Sequence, residues 1–314
     1  MGAPPVPRRE LQVRRRGGTL HVVDEGPVGA PPIVLVHGYP DDHRVWDGVA
    51  QRLAQRWRVI RYDVRGAGAS MAPRLLARYR MQSLTGDLIA VLDATCGTTP
   101  AHLVGHDWGG IQAWDAISDP RWARRFRTFT TFSGPCLDHI ALSVRSRARS
   151  AEERRQRLRQ IAMSWYVYLF HLPRFAPALW RSGLAVAWPT LVQTLESGAY
   201  RDTMSTEERA SAGARGVALY RANILPRLFR PNDVRPRVPV QFVWPRGDLF
   251  VGEAYVNASE PFIDRFWKRT VDGTHWIVAL EPDRCARWIE ELCTAYDDGQ
   301  IETFRDDLRV SPRR

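Results

Sequence analysis

Cysteine is scarce. The four thiols, Cys96, Cys136, Cys285 and Cys293, are too few and too scattered for a disulfide framework or a zinc site. They read as buried free thiols in a reducing compartment, so the expected location is cytoplasmic. No apolar run follows Arg8, Arg9, Arg14, Arg15 and Arg16, so these arginines introduce neither a secretory nor a twin-arginine signal. Long hydrophobic runs are missing as well: Ala162 to Leu184, rich in aromatic and aliphatic residues, is interrupted by Pro173, Arg174 and Arg181, and no membrane span is expected. Asp63, Gly66 and Gly68 lack the glycine spacing of a dinucleotide fingerprint, and no phosphate-loop lysine-serine pair is present. His102 and His106 are four apart but straddle a strand-to-turn transition, so they do not form the paired helical histidines of a zinc site. The expectation is a protein with no cofactor and no metal.

Charge of one sign is in excess, with Lys+Arg 45 against Asp+Glu 34 and a formal net charge of +11. The basic residues are dispersed and interleaved with acids, which argues against a specific nucleic-acid partner. The one dense run, Arg145 to Arg159, contains Glu152 and Glu153 and reads as a solvated helix face. With 314 residues and 44% hydrophobic content, the chain can bury a large core and carry an inserted lobe.

What is present alternates between strand and helix. Leu11 to Val13 and Thr19 to Val23 form a hairpin around Gly17-Gly18, and Pro32 to Val36 is a continuous apolar strand ending at His37-Gly38-Tyr39-Pro40. Asp42 to Arg56 has helical spacing, Trp57 to Tyr62 is a strand delivering Asp63, and Leu84 to Asp93 is helical. Ala101 to Val104 is a strand, Ile111 to Ile117 a helix and Arg127 to Phe132 a further strand. This alternation argues for a mostly parallel sheet covered on both faces, with chemistry at the carboxyl ends of the strands. From Cys136 to Val234 helices take over: Ala148 to Phe170, Thr190 to Ser197, and Glu207 to Ile224 behind a Ser205/Glu208 capping box. Strands resume at Val240 to Trp244 and Phe266 to Val271, and a last amphipathic helix begins at Glu281-Pro282. The expected division is a core in two parts, 1–135 and 235–299, a helical cap at 136–234, and a polar tail at 300–314.

The chemistry centres on Gly105-His106-Asp107-Trp108-Gly109. A strand that turns abruptly into a helix projects the middle residue outward and crowds the positions two before and two after, which therefore favour glycine. Here the projected residue is a carboxylate. Attack at an acyl carbon would give an unstable anhydride, whereas attack at a saturated carbon gives an ester. Hydrolysing that ester needs a base, for which His275 is the best-placed histidine, and an acid to orient it, for which Asp248 stands after a strand. Asp138 and Glu253 are weaker candidates for the acid. The order Asp107, Asp248, His275 is that of nucleophile, acid and histidine.

These segments, together with Asp63-Val64-Arg65-Gly66-Ala67-Gly68-Ala69-Ser70 and Gly273-Thr274-His275, resemble the α/β-hydrolases of the epoxide hydrolase and haloalkane dehalogenase branch. The resemblance spans Leu11 to Leu292 and is weakest in the helical lobe. It implies an α/β-hydrolase fold with a mostly parallel central sheet flanked by helices and an inserted helical cap. It also implies Tyr166, within Ser164 to Pro173, and Tyr220, within Leu219-Tyr220-Arg221-Ala222-Asn223, as donors to an epoxide oxygen, with Tyr168 as the register alternative to Tyr166. The backbone N–H groups of Tyr39 and Trp108 are expected to form the oxyanion hole. His37 is expected to bond within its loop, and Asp63 and Arg65 to hold their turn. The implied activity is conversion of an epoxide and water to a vicinal diol through an Asp107 ester. The alternative is haloalkane dehalogenation by the same triad, against which Tyr39 stands where a halide-binding asparagine would be expected; an esterase or other hydrolase is a further, weaker alternative. A homo-oligomer is compatible with the sequence.

Overall fold

Strands that are apolar on both faces can only be accommodated between two layers of helices. Pro32–Val36 is such a strand, buried at every position. In the computed structural model, which describes residues 6–148, 150–195 and 203–305, it lies near the centre of an eight-stranded sheet. The strands are β1 (Arg8–Arg15), β2 (Gly18–Glu25), β3 (Pro32–Val36), β4 (Arg58–Tyr62), β5 (Ala101–His106), β6 (Phe126–Phe132), β7 (Val240–Pro245) and β8 (Phe266–Val271). Their order is β1-β2-β4-β3-β5-β6-β7-β8. β2 runs antiparallel to both β1 and β4, while the pairs from β4 through β8 are parallel. Ile33 and Leu35 face one helical layer, built by α1 (Asp47–Leu53) and α12 (Pro282–Asp297); Val34 and Val36 face the other, built by α2 (Met81–Cys96) and α3 (Trp108–Ser118). The period of two along β3 thus serves two cores at once.

Between β6 and β7 the chain leaves the sheet, and its described residues include the α-helices α4 (Leu137–Arg145), α5 (Ala151–Met163), α6 (Trp165–Phe170), α7 (Phe175–Leu179), α8 (Ala185–Leu195) and α9 (Thr206–Phe229). The expected single helix from Ala148 to Phe170 is broken at Ser164, which closes α5 and opens α6. The helix expected over Thr190 to Ser197 starts earlier, at Ala185, and its last two residues lie outside the described ones. The capping box at Ser205 and Glu208 is present at the start of α9. α9 ties the cap to the sheet through Asn223, whose Oδ1 accepts from Met81 N at 2.9 Å while its Nδ2 donates to Tyr79 O at 2.8 Å. Arg227 at its far end pairs with Asp138 and Asp115. After β7 come α10 (Glu253–Asn257) and, after β8, α11 (Ile277–Leu280) ahead of α12.

All four cysteines are free and buried. No described helix is long and apolar enough to cross a membrane. The expected polar tail begins with two docked residues: Ile301 is buried, and Phe304 packs edge-on against Trp267 at 5.1 Å; residues 306–314 lie outside the described ones.

Candidate active site

The parallel strands β3, β5, β7 and β8, which lead into Tyr39, Asp107, Asp248 and His275, end at the same edge of the sheet. β5 runs straight into Asp107, which has φ 48° and ψ −121° and precedes α3. A non-glycine residue in that conformation costs about 1–3 kcal/mol, which the surrounding structure must offset. The flanking glycines show why nothing larger fits. A side-chain carbon on Gly105 would come within 2.5 Å of Gly110 N; one on Gly109 would collide with the Val36 carbonyl, and one on Gly110 with the Thr131 hydroxyl. The turn is therefore wedged between β3 and β6. Asp107 makes no capping bond to α3, so its carboxylate is left for the space above the sheet.

The two oxygens of that carboxylate have different surroundings. Oδ1 accepts a hydrogen bond from Tyr39 N at 2.8 Å, and the nearby Trp108 N–H also favours the charged carboxylate. Oδ2 faces His275 Nε2 at 3.7 Å. On the other side of the imidazole, Nδ1 donates to Asp248 Oδ2 at 3.0 Å. Asp248 Oδ1 in turn accepts from Phe250 N at 2.7 Å and Val251 N at 2.9 Å, which fixes the acid at the end of β7. Asp107, Asp248 and His275 thus come together in the predicted order. The weaker acid candidates lie elsewhere: Asp138 pairs with Arg227 and Glu253 with Lys268.

Burial sets the proton equilibria. It pushes the Asp107 carboxyl up to about 6, against the pull of His275 and the N–H groups of Tyr39 and Trp108. Burial also opposes ionisation of Asp248, but the charge and hydrogen bond of His275 outweigh it and hold this acid below the ordinary carboxylate range. The phenols of Tyr39, Tyr166 and Tyr220 are raised well above their usual value, burial first, so all three stay protonated near neutrality.

The cap supplies the roof. The Tyr166 and Tyr220 ring centroids are 6.1 Å apart, and both phenols lie within electrostatic reach of Asp107. Tyr220 packs edge-on against Trp108 at 4.8 Å, Phe170 at 4.9 Å and Tyr39 at 5.3 Å. Tyr166 packs against Phe170 and Phe250. Tyr168, the register alternative, is 62% exposed on the outer side of α6. Gly216 of α9 sits on the Tyr39 ring, where any side chain would collide, and the Tyr39 hydroxyl donates to Gly213 O at 2.9 Å. The residue that offers its backbone N–H to Asp107 is thereby also a strut for the cap.

His37 bonds within its loop to Gly38 O at 2.7 Å and, across to the loop after β4, accepts from Val64 N at 2.8 Å. Asp63 receives N–H bonds from His43 and Ala69, and Arg65 pairs with Asp87, so both hold the turn after β4. Among the described residues, His21, His43 and Asp63 form a group whose ligand atoms lie within 4.8 Å of one another, close enough for a cation. Here His43 Nδ1 lies 2.7 Å from Asp63 Oδ1, and His21 bridges Asp63 and Glu10. This group belongs to the Asp63 turn, not to the triad.

Four contributors escaped the sequence. His106 Nε2 bonds to His275 O at 2.9 Å, and burial pushes its pKa down to about 3, so it stays neutral beneath His275. Phe250 covers the His275 ring at 4.8 Å. Trp276 donates to Asp41 Oδ2 at 3.0 Å, tying the histidine loop to the loop after β3. Gln160, buried in α5, donates to Phe250 O at 3.0 Å and accepts from Gly252 N at 2.5 Å. The only local signal for Gln160 is its helical phase with inward-facing Ser164.

An eight-stranded sheet of this order, with an aspartate at the elbow and a helical insertion after β6, defines an α/β-hydrolase. The family model described as alpha/beta hydrolase fold matches residues 31–282, and the chain belongs to that family. It is 30% identical over 292 residues to a Mycobacterium tuberculosis protein named probable oxidoreductase EphD, covering 90% of this chain and 49% of that one. The chain therefore spans about half the length of that mycobacterial relative. It is 24% identical over 291 residues to epoxide hydrolase 4 of Mus musculus, covering 87% of this chain and 76% of that one. A solved structure described under novel epoxide hydrolases from metagenomes of hot environments superposes with a TM-score of 0.71 at 25% identity, covering 91% of this chain and 98% of that one.

Proposed function

We propose that this chain hydrolyses an apolar or amphipathic epoxide to a vicinal diol. The observation that carries the reading is the opposition of an aspartate nucleophile to two buried phenols, with one aspartate oxygen already seated on the Tyr39 backbone N–H. Asp107 Oδ2 attacks one ring carbon, the carbon–oxygen bond breaks, and the oxygen takes a proton from Tyr166 or Tyr220. Oδ1 becomes the ester carbonyl oxygen. His275 Nε2 then removes a proton from water while Asp248 supports the imidazolium through Nδ1. The hydroxide adds to the ester carbon, and the negative charge on Oδ1 falls on the N–H groups of Tyr39 and Trp108. Collapse releases the diol with Oδ2, His275 returns its proton to that oxygen, the water oxygen stays in Asp107, and the proton left on the Asp107 carboxyl restores the phenol. The cap at 136–234 provides both donors in this scheme.

For dehalogenation, a halide would need the Trp108 indole and a second N–H donor. The Trp108 side chain is engaged with Tyr220, and Tyr39 supplies no side-chain amide, which favours the epoxide reading. A single turnover in labelled water with enzyme in excess tests the route: label is expected in Asp107 and not in the diol. Label appearing wholly in the diol sinks the covalent mechanism. Parallel assays with matched haloalkanes, expected to release no halide, test the choice of substrate.

A further inference from the structure

The cap carries a surface that the proposed reaction does not use. Leu158, Ile161, Trp165, Tyr168, Leu172 and Phe175 follow one another at spacings of three and four through α5, α6 and the start of α7, and all six are exposed, from 44% at Ile161 to 65% at Trp165. Within a helix that period sets neighbours on one side, Leu158 with Ile161 on α5 and Trp165 with Tyr168 on α6. The other side faces inward: Gln160 and Phe170 are buried, and Tyr166 meets Phe250 and Tyr220. Isolated exposed apolar residues are ordinary, but a regular series of six large ones marks an interaction surface.

Its flanks are cationic. Between Ala151 and Leu184 six arginines face two acids, Glu152 and Glu153. Those acids pair with Arg155 and Arg157, while Arg154, Arg159, Arg174 and Arg181 are exposed. We propose that this face seats the cap on an anionic lipid surface, with the six apolar side chains at the boundary of headgroups and acyl chains and the arginines on the phosphates. Trp and Tyr rings suit that boundary, and arginine stems reach from it to the headgroups. A symmetric pair of chains meeting through this face would instead bring its arginine flanks together. No described helix is long and apolar enough to cross a membrane, so the proposed contact is one lying on the surface. α6 would then present Trp165 and Tyr168 to lipid and Tyr166 to the candidate site. The proposal goes beyond the reaction and does not depend on it.

Flotation of the full chain with phosphatidylcholine vesicles, with and without about 30% phosphatidylglycerol, tests it at low salt and at about 150 mM. The wild type is expected to float with anionic vesicles at both salt concentrations and weakly with neutral ones. A Leu158→Gln, Trp165→Gln, Phe175→Gln variant should lose at least about tenfold in partitioning with an unchanged melting temperature. An Arg154→Gln, Arg159→Gln, Arg174→Gln variant should lose about tenfold or more on anionic vesicles alone. Three outcomes overturn the proposal: no vesicle binding by the wild type, equal binding by the apolar variant, or a wild-type dimer that this variant dissociates without any vesicle binding. Absence of epoxide turnover in the wild type bears on the reaction and leaves the vesicle result standing.

Discussion

The two walls of the site are held by different forces. On the sheet wall, the proposed reacting groups are fixed largely through backbone: Tyr39 N on Asp107, Phe250 N and Val251 N on Asp248, and the His275 carbonyl on His106. On the cap wall, Tyr166 and Tyr220 are held mainly by ring edges, with centroids 4.8 to 6.1 Å from their neighbours. Backbone hydrogen bonds are directional and fail abruptly when geometry shifts, whereas ring packing tolerates small displacements. The sheet wall therefore suits steps that proceed or stop. The cap wall suits graded control over what is attacked.

If that contrast holds, the largest effects belong to the sheet wall. Asp107→Asn should abolish formation of the alkyl-enzyme, a loss of about 10⁴-fold or more in turnover, read by mass spectrometry of the intact protein. In the wild type, alkylation should fall about tenfold per pH unit below the Asp107 pKa of about 6, because only the ionised carboxylate attacks. The same shift has a stability consequence. Between about pH 4 and pH 6 the folded state holds a proton that the unfolded state has lost, so raising pH through this window removes stability. Asp107→Asn, which does not titrate, should gain about 1–3 kcal/mol relative to wild type at pH 8 and little at pH 4, measured by urea unfolding. His275→Gln should leave ring opening intact and trap the ester, lowering turnover by about 10³-fold. Equal loss of both steps would give His275 an earlier or structural role.

Effects on the cap wall should be smaller and divisible. Tyr220→Phe is expected to slow ring opening by about 10²-fold, and Tyr166→Phe by about tenfold, because either phenol can still supply a proton. Pre-steady-state measurement of alkylation separates this from ester hydrolysis, which should be nearly unchanged. A double variant no worse than Tyr220→Phe alone would remove Tyr166 from the donor pair. A Tyr168→Phe variant, altering a ring on the outer side of α6, should behave as wild type.

What was legible in the sequence follows the same division. The elbow announces itself because its constraints are local: Gly105, Gly109 and Gly110 each touch backbone or a neighbouring strand that leaves no room for a side chain. Asp248 and His275 could be located because each follows a strand whose apolar run is readable. Tyr166 and Tyr168 could not be separated by sequence, since the turn at Ser164 sets the rotation of α6 relative to the sheet. Gln160 was hidden for a related reason. It sits in an arginine-rich run that reads as solvated, and its partners lie about 90 residues away, at Phe250 and Gly252.

Gln160 is also where the contrast between the walls can be broken. It belongs to the cap, yet it grips backbone as sheet-wall residues do, clasping the 250–252 segment whose N–H groups fix Asp248. If the acid turn depends on this clasp, Gln160→Met, similar in length but without the amide, should slow ester hydrolysis by about tenfold while leaving ring opening within about twofold. The alkyl-enzyme would then accumulate to a measurable steady level. Ring opening slowed to the same extent would show that the whole cap had shifted and that Gln160 only packs it. Hydrolysis unchanged would mean that the sheet wall holds Asp248 unaided, restoring the separation between a rigid floor and an adjustable roof.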